Sequence, residues 1–189
     1  MAGAHTFLFS DLVGFTALTD AEGDERAADV ATDFCRRVRE LLPEHRTEEI
    51  KSIGDAVMLR ADDPALGIRL GLRIVDELER VEGFPAVRVG IHTGGAVCRD
   101  GDWYGATVNV AARLCSAAAG GQVLASEEAV AAAGALHDLE LGERRLHWLK
   151  NVTEPVSART VAARERFGRF RRRLSEVGAL LGPAAGSPA

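Results

Sequence analysis

With 189 residues, a formal net charge of −5 and 47% hydrophobic residues, the chain has the size and apolar content of one domain with a packed core. The acidic balance argues against a protein that coats nucleic acid, and no apolar run approaches the roughly 20 residues that span a bilayer. The opening MAGAHTFLFSDL lacks a basic segment followed by an apolar stretch and a cleavage site, so the expected location is the cytoplasm.

Along the chain, TFLFS over 6–10 reads as a buried strand that runs into Asp11 and a turn at Gly14. Residues 24–42 place Ala28, Val30, Ala31, Phe34, Val38, Leu41 and Leu42 at helical spacing, and Pro43 closes the segment. EEIKSIGDAVMLRA reads as a hairpin about Ile53-Gly54-Asp55, and 63–81 returns to helical spacing. VRVGIH alternates, breaks at Gly94-Gly95 and resumes in Ala96-Val97-Cys98 as a second candidate strand pair, followed by a loop, RDGDWYG. Thr107–Ala118 is helical, QVLAS a strand, EEAVAAA a short helix, and 136–161 a set of strands and loops. Strands alternating with helices in this order predict a single α/β sandwich.

Cys35, Cys98 and Cys115 are odd in number, widely separated and without CxxC spacing, which fits reduced thiols used in packing. From Arg164 to Arg173 the chain carries six arginines and one glutamate interleaved with Phe167 and Phe170, then trails into GPAAGSPA. The division is therefore a domain over 1–163 and, over 164–189, a basic helix with a disordered tail. That segment reads as a solvated helix, a linker, or a weak contact with acidic lipid or nucleic acid.

Asp11 and Asp55 each sit where a strand meets a glycine turn, a setting that suits hard cations such as Mg²⁺, although turn-forming aspartates are common. The LVGFT loop adds backbone N–H groups at a helix start, which can face an anion. Asn109 and Arg113 lie i, i+4 on one face of a helix, a spacing that a surface pair or a cap would also give. Lys51 and Asp102 complete the polar set, and either also reads as a solvated charge.

Together these segments resemble the class III nucleotide cyclase catalytic domain. FSDLVGFT resembles F-x-D-x-x-G-F-T, KSIGDAVM resembles K-x-x-G-D, DWYGATVNVAAR resembles D-x-W-G-x-x-V-N-x-A-x-R, and LKNVTEPV resembles the closing L-K-G-I-x-E-P-V. The similarity runs from about Thr6 to Val161. It implies a ferredoxin-like βαββαβ core, an α+β sandwich, working as a head-to-tail homodimer that converts ATP to cyclic AMP and pyrophosphate.

By that resemblance Asp11, Asp55 and the Leu12 carbonyl would hold two Mg²⁺ or Mn²⁺ ions. Val13, Gly14, Phe15, Thr16 and Lys150 would contact phosphates, Asn109 the ribose, and Arg113 the α-phosphate. Lys51 and Asp102 would read adenine, a donor for N1 and an acceptor for the N6 amine. The metal aspartates would come from one protomer and the other four side chains from its partner, so a monomer would be inactive. No nucleic-acid partner and no membrane insertion are expected.

Three departures stand out: a short arm over 97–104, as in the short-armed bacterial subgroup, Asn151 in place of glycine, and Gln122 where some relatives carry an arginine. The competing reading is a silent cyclase-homology module that dimerises and regulates. Such relatives usually lose a metal aspartate, the asparagine or the arginine, and all are present here.

Overall fold

The computed structural model describes residues 3–164. The basic segment and tail expected at the C-terminus lie, from residue 165 onward, outside the described residues. The strands are β1 (Ala4–Leu12), β2 (Thr47–Ile53), β3 (Ala56–Ala61), β4 (Val87–Gly95), β5 (Val97–Arg99), β6 (Asp102–Tyr104), β7 (Val123–Ser126), β8 (Leu139–Leu141), β9 (Arg145–His147) and β10 (Val156–Ala163). The helices are α1 (Phe15–Glu22), α2 (Asp24–Leu41), α3 (Pro64–Glu79), α4 (Ala106–Ala117) and α5 (Glu127–Ala133).

One sheet runs β2-β3-β1-β4-β7-β10-β8, with β9 also on β10. Every pairing in it is antiparallel except β4 with β7. The first half is the expected βαββαβ unit, since β1 lies between β3 and β4 with β2 outermost. Alternation along β1 divides its side chains between two faces. Leu8 and Leu12 pack with Val30, Phe34 and Val38 of α2 and Ile68 and Ile74 of α3 in one core cluster. Phe7 faces the other way, against Met58, Val108 and Ala111.

The long helices form where the sequence gives them a stripe and a stop. α3 starts at Pro64 after Asp63, whose Oδ1 accepts from the amides of Ala65 at 2.8 Å and Leu66 at 3.2 Å, a paired N-cap. Of α1 the sequence reading has only a helix start at the LVGFT loop and no extent, because the helix fully buries no side chain and so leaves no apolar stripe.

The other departure is at RDGDWYG, predicted as a loop. Here β4 runs unbroken to Gly95, and Val97–Arg99 pairs with Asp102–Tyr104 rather than extending a pair with β4. The strands turn at Asp100 (φ 52°) and Gly101 (φ 79°), the two positive φ values that an Asp-Gly I′ turn demands.

α4 lies along β4 on the Phe7 side. A Cβ at Gly94 would stand 2.7 Å from Thr107 Oγ1, and one at Gly90 would stand 2.0 Å from the Cys115 amide nitrogen and 2.5 Å from the Ala111 carbonyl oxygen. The backbones of helix and strand are thus in direct contact. Cys35 and Cys115 are buried, as packing predicts, whereas Cys98 on β5 is exposed. Burial pushes the Cys115 thiol up to about 12. No described helix is long and apolar enough to cross a membrane.

On β4, His92 places Nδ1 2.7 Å from Ser126 Oγ and 3.7 Å from the Glu128 carboxylate. Burial holds its imidazole below the usual range, with Glu128 acting weakly the other way. Between the folded and free values the unfolded chain binds more protons, so stability is unaffected above about pH 6.5 and declines as pH falls through that window. Melting temperature should therefore drop from about pH 7 to about pH 5, and drop less in His92→Gln. Equal slopes for the two proteins would contradict this.

Candidate active site

Asp11 ends β1, opposite Ala56 of β3 and Arg88 of β4. Arg88 places Nε at 2.8 Å and Nη2 at 2.5 Å from Asp11 Oδ2, while its Nη1 donates to the Ser116 carbonyl at 3.0 Å. One guanidinium therefore ties the end of β1 to the C-terminal end of α4. Arg88 is missing from the sequence-predicted set. Its signal was a charged residue within the apolar VRVGIH strand, at a place where the register turns it toward Asp11.

Asp55 reaches the same point from the β2–β3 turn. Ile53 pairs with Ala56 across a two-residue loop, and Gly54 takes φ 60° at its first position, as a II′ turn requires. The Leu12 amide donates to the Asp55 carbonyl at 3.3 Å, fastening the turn to the end of β1. Burial and the adjacent Asp11 carboxylate push the Asp55 carboxyl above the usual range, against the pull of Arg88. Two crowded carboxylates sharing one guanidinium form an oxygen-rich, anion-excess group. That donor chemistry fits a hard divalent cation, with the Leu12 carbonyl alongside.

The loop after Asp11 carries α1. The Val13 amide is already committed to the Ala86 carbonyl at 2.8 Å, whereas the first amides of α1, including Phe15 and Thr16, have no intrahelical acceptor. An anion on this side would meet those amides rather than Val13.

Lys51 on β2 and Asp102 on β6 are 51 residues apart and meet, Nζ to Oδ2, at 2.5 Å. The other carboxylate oxygen of Asp102 accepts from the Trp103 amide at 2.8 Å. Lys51, and behind it that amide, hold Asp102 below the usual carboxylate range. Read by themselves in the sequence, both also pass for solvated charges, and only the resemblance pairs them; in the fold they are in direct contact as one donor–acceptor unit.

Asn109 and Arg113 sit on α4 away from the sheet, because Val108, Val110, Ala111, Leu114 and Cys115 take the buried positions. Asn109 is exposed and Arg113 half-buried, and neither side chain has a hydrogen-bond or ion-pair partner among the described residues. Lys150 is exposed and follows Leu149, which belongs to one buried cluster with Val110 and Leu114 of α4. The site is therefore in pieces. Asp11, Asp55 and Arg88 form one group and Lys51 with Asp102 a second, while Asn109 and Arg113 face outward.

Two sequence departures acquire reasons. Asn151 has φ 62°, a left-handed conformation that glycine adopts freely and asparagine tolerates better than most residues. Asn151→Gly should leave stability nearly unchanged and Asn151→Val should cost about 1–2 kcal/mol, measured by denaturant unfolding. Gln122 turns its Oε1 onto the Ala119 amide at 3.0 Å and closes its own loop.

Comparison with known proteins matches residues 2–146 to the adenylate and guanylate cyclase catalytic domain. A pH-sensitive adenylate cyclase of Mycobacterium tuberculosis is 34% identical over 169 residues, covering 86% of this chain and 42% of that protein. An adenylate cyclase of Streptomyces griseus is 37% identical over 110 residues, covering 58% of this chain and 28% of that protein. The chain thus spans less than half the length of these curated relatives. Among solved structures, a Trypanosoma brucei adenylate cyclase in its monomeric state superposes with TM-score 0.75 at 24% identity, covering 84% of this chain and 87% of that one. A guanylyl cyclase gives TM-score 0.75 at 24% identity over 86% and 95% of the two chains, so the likeness of fold does not separate the two nucleotides. With the family match covering most of its length, the chain belongs to the adenylate and guanylate cyclase catalytic domain family.

Proposed function

We propose that this domain is an adenylate cyclase, forming cyclic AMP and pyrophosphate from ATP at sites shared by two copies of the chain. The observation that carries the reading is the Lys51–Asp102 unit. Adenine offers an acceptor at N1 and a donor at N6, the complement of an ammonium and a carboxylate held side by side. Guanine presents the reverse pattern. The adenylate cyclases among the relatives support the same choice.

Asp11, Asp55 and the Leu12 carbonyl would hold the metal ions. Mg²⁺ or Mn²⁺ bound there would favour ionisation of the ribose 3′-hydroxyl and neutralise the triphosphate. The 3′-oxygen bonds to the α-phosphorus as the bond from that phosphorus to the β-phosphate oxygen breaks, and the hydroxyl proton is released. Arg113 presents a guanidinium to the charge growing on the α-phosphate oxygens, and Asn109 orients the ribose. The amides of Gly14, Phe15 and Thr16, with Lys150, take the outer phosphates. Arg88 adds a cation beside Asp11 where Gln122 supplies none.

The outward placement of Asn109 and Arg113, without side-chain partners among the described residues, supports a head-to-tail homodimer in which they serve the partner's aspartates. The silent-module alternative has no such support, since every catalytic position is filled by the required residue type.

The test is product formation from ATP and from GTP with Mg²⁺ and Mn²⁺. Wild type should make cyclic AMP and discriminate against GTP, and Arg113→Ala should lower kcat on the order of 10² to 10³. A dimeric wild-type preparation inactive with both metals would favour the silent module.

A further inference from the structure

The β5–β6 hairpin carries Asp102, yet little holds it in place. Its strands are three residues each, form a sheet of their own, and lack backbone pairing to the main sheet. A two-stranded ribbon of this length has marginal stability by itself. Val97, Cys98, Arg99 and Tyr104 are exposed, and only Asp102 and Trp103 turn toward the body of the domain.

Trp103 is the anchor. Its ring lies 4.4 Å from the ring of His5 and 5.5 Å, edge-on, from that of Phe7, both on β1. The Arg60 guanidinium of β3 stands 5.4 Å from the Trp103 ring centroid, itself fixed by ion pairs to Glu48 at 2.5 Å and Asp62 at 2.9 Å. Aromatic pairs and a cation over an indole are each stabilising, and together they select one position for a short hairpin. From the backbone of this same residue, the Trp103 amide donates to Asp102 Oδ1, leaving Oδ2 for Lys51.

We infer that Trp103 is a positioning residue for base selection: its indole, seated among His5, Phe7 and Arg60, sets the place of Asp102 against Lys51 and thereby the preference for adenine. The inference rests on the adenine-reading role proposed above for Lys51 and Asp102. It assigns to a side chain outside the base contact the task of keeping the acceptor within reach of the exocyclic amine. Loss of the indole frees the hairpin and blunts discrimination, while the triphosphate end, built on β1, β3 and β4, keeps its affinity.

The experiment compares the full chain with Trp103→Ala, Trp103→Phe and His5→Ala. Calorimetry measures binding of 3′-deoxy-ATP and 3′-deoxy-GTP, which lack the attacking hydroxyl, and turnover of ATP and GTP gives kcat and KM separately. Expected results are a narrowing of the adenine preference on the order of tenfold in Trp103→Ala, carried by KM for ATP. Preference should be largely restored in Trp103→Phe and intermediate in His5→Ala, where one wall is missing and folding is least at risk. The inference is overturned if wild type shows no base preference, if His5→Ala and a folded Trp103→Ala both keep the wild-type preference, if Trp103→Phe is impaired as much as Trp103→Ala, or if a folded Trp103→Ala binds neither analogue. A wild type that prefers 3′-deoxy-ATP yet forms no cyclic product removes the proposed activity and leaves the positioning role standing.

Discussion

Equal amounts of Asp55→Ala and Asn109→Ala protein, each nearly inactive alone, should regain about a quarter of wild-type cyclase activity when mixed. Random pairing makes about half of the dimers mixed. Each mixed dimer holds one intact site, with Asp55 from the Asn109→Ala protomer and Asn109 from the Asp55→Ala protomer, and one site with both lesions. Alone, either variant loses an electrostatic or metal-holding group in both sites, a loss of two or more orders of magnitude. The grounds are geometric: Asn109 and Arg113 point away from their own sheet and have no side-chain partner among the described residues. A mixture no more active than its components, with subunit exchange verified, would place the whole site within one chain.

The second large effect is on folding. Gly90→Ala would put a methyl carbon 2.0 Å from the Cys115 nitrogen and 2.5 Å from the Ala111 oxygen, both backbone atoms of α4. No rotamer change relieves a clash with backbone, so the helix must lift from β4. Lifting it opens the contacts of Val108 and Ala111 with Phe7 and Met58. The cost should exceed about 3 kcal/mol, a fall in melting temperature on the order of 10 °C or failure to fold. Gly95→Ala, at a glycine of the same strand with open space around its Cβ, is the control and should be nearly neutral by thermal unfolding.

What the sequence revealed and what it hid follow from which signals are local. α2 and α3 were legible because Val30, Phe34, Val38, Ile68, Val75 and Leu78 mark a stripe over several turns. Of α1 only the start was legible, since Phe15–Glu22 fully buries no residue. Of the β5–β6 hairpin, Val97-Cys98 was read as strand but Asp102–Tyr104 as loop, because β6 turns nothing apolar inward except Trp103, although Asp100-Gly101 announced the turn.

For the candidate site, motif order singled out Asp11, Asp55, Lys51, Asp102, Asn109 and Arg113, but partnership is a property of topology. The meeting of Lys51 with Asp102 needs β2 and the hairpin after β4 to share one face of the sheet. Arg88 escaped because its role depends on cross-strand register with Asp11 rather than on any spacing along the chain. Asn151, a departure on paper, keeps the left-handed backbone that the glycine position calls for.

The Lys51–Asp102 pair also bears on how a nucleotide finds the domain. Opposite charges 2.5 Å apart cancel beyond the nearest neighbours, so the base end casts no net field into solution. In the role proposed for the pair, recognition would be an exchange: the purine would insert into an existing ion bond and satisfy both halves of it at once. Raising ionic strength should then weaken the capture of the triphosphate while leaving the ratio between adenine and guanine nucleotides almost unchanged, because affinity and selectivity draw on different ends of the molecule.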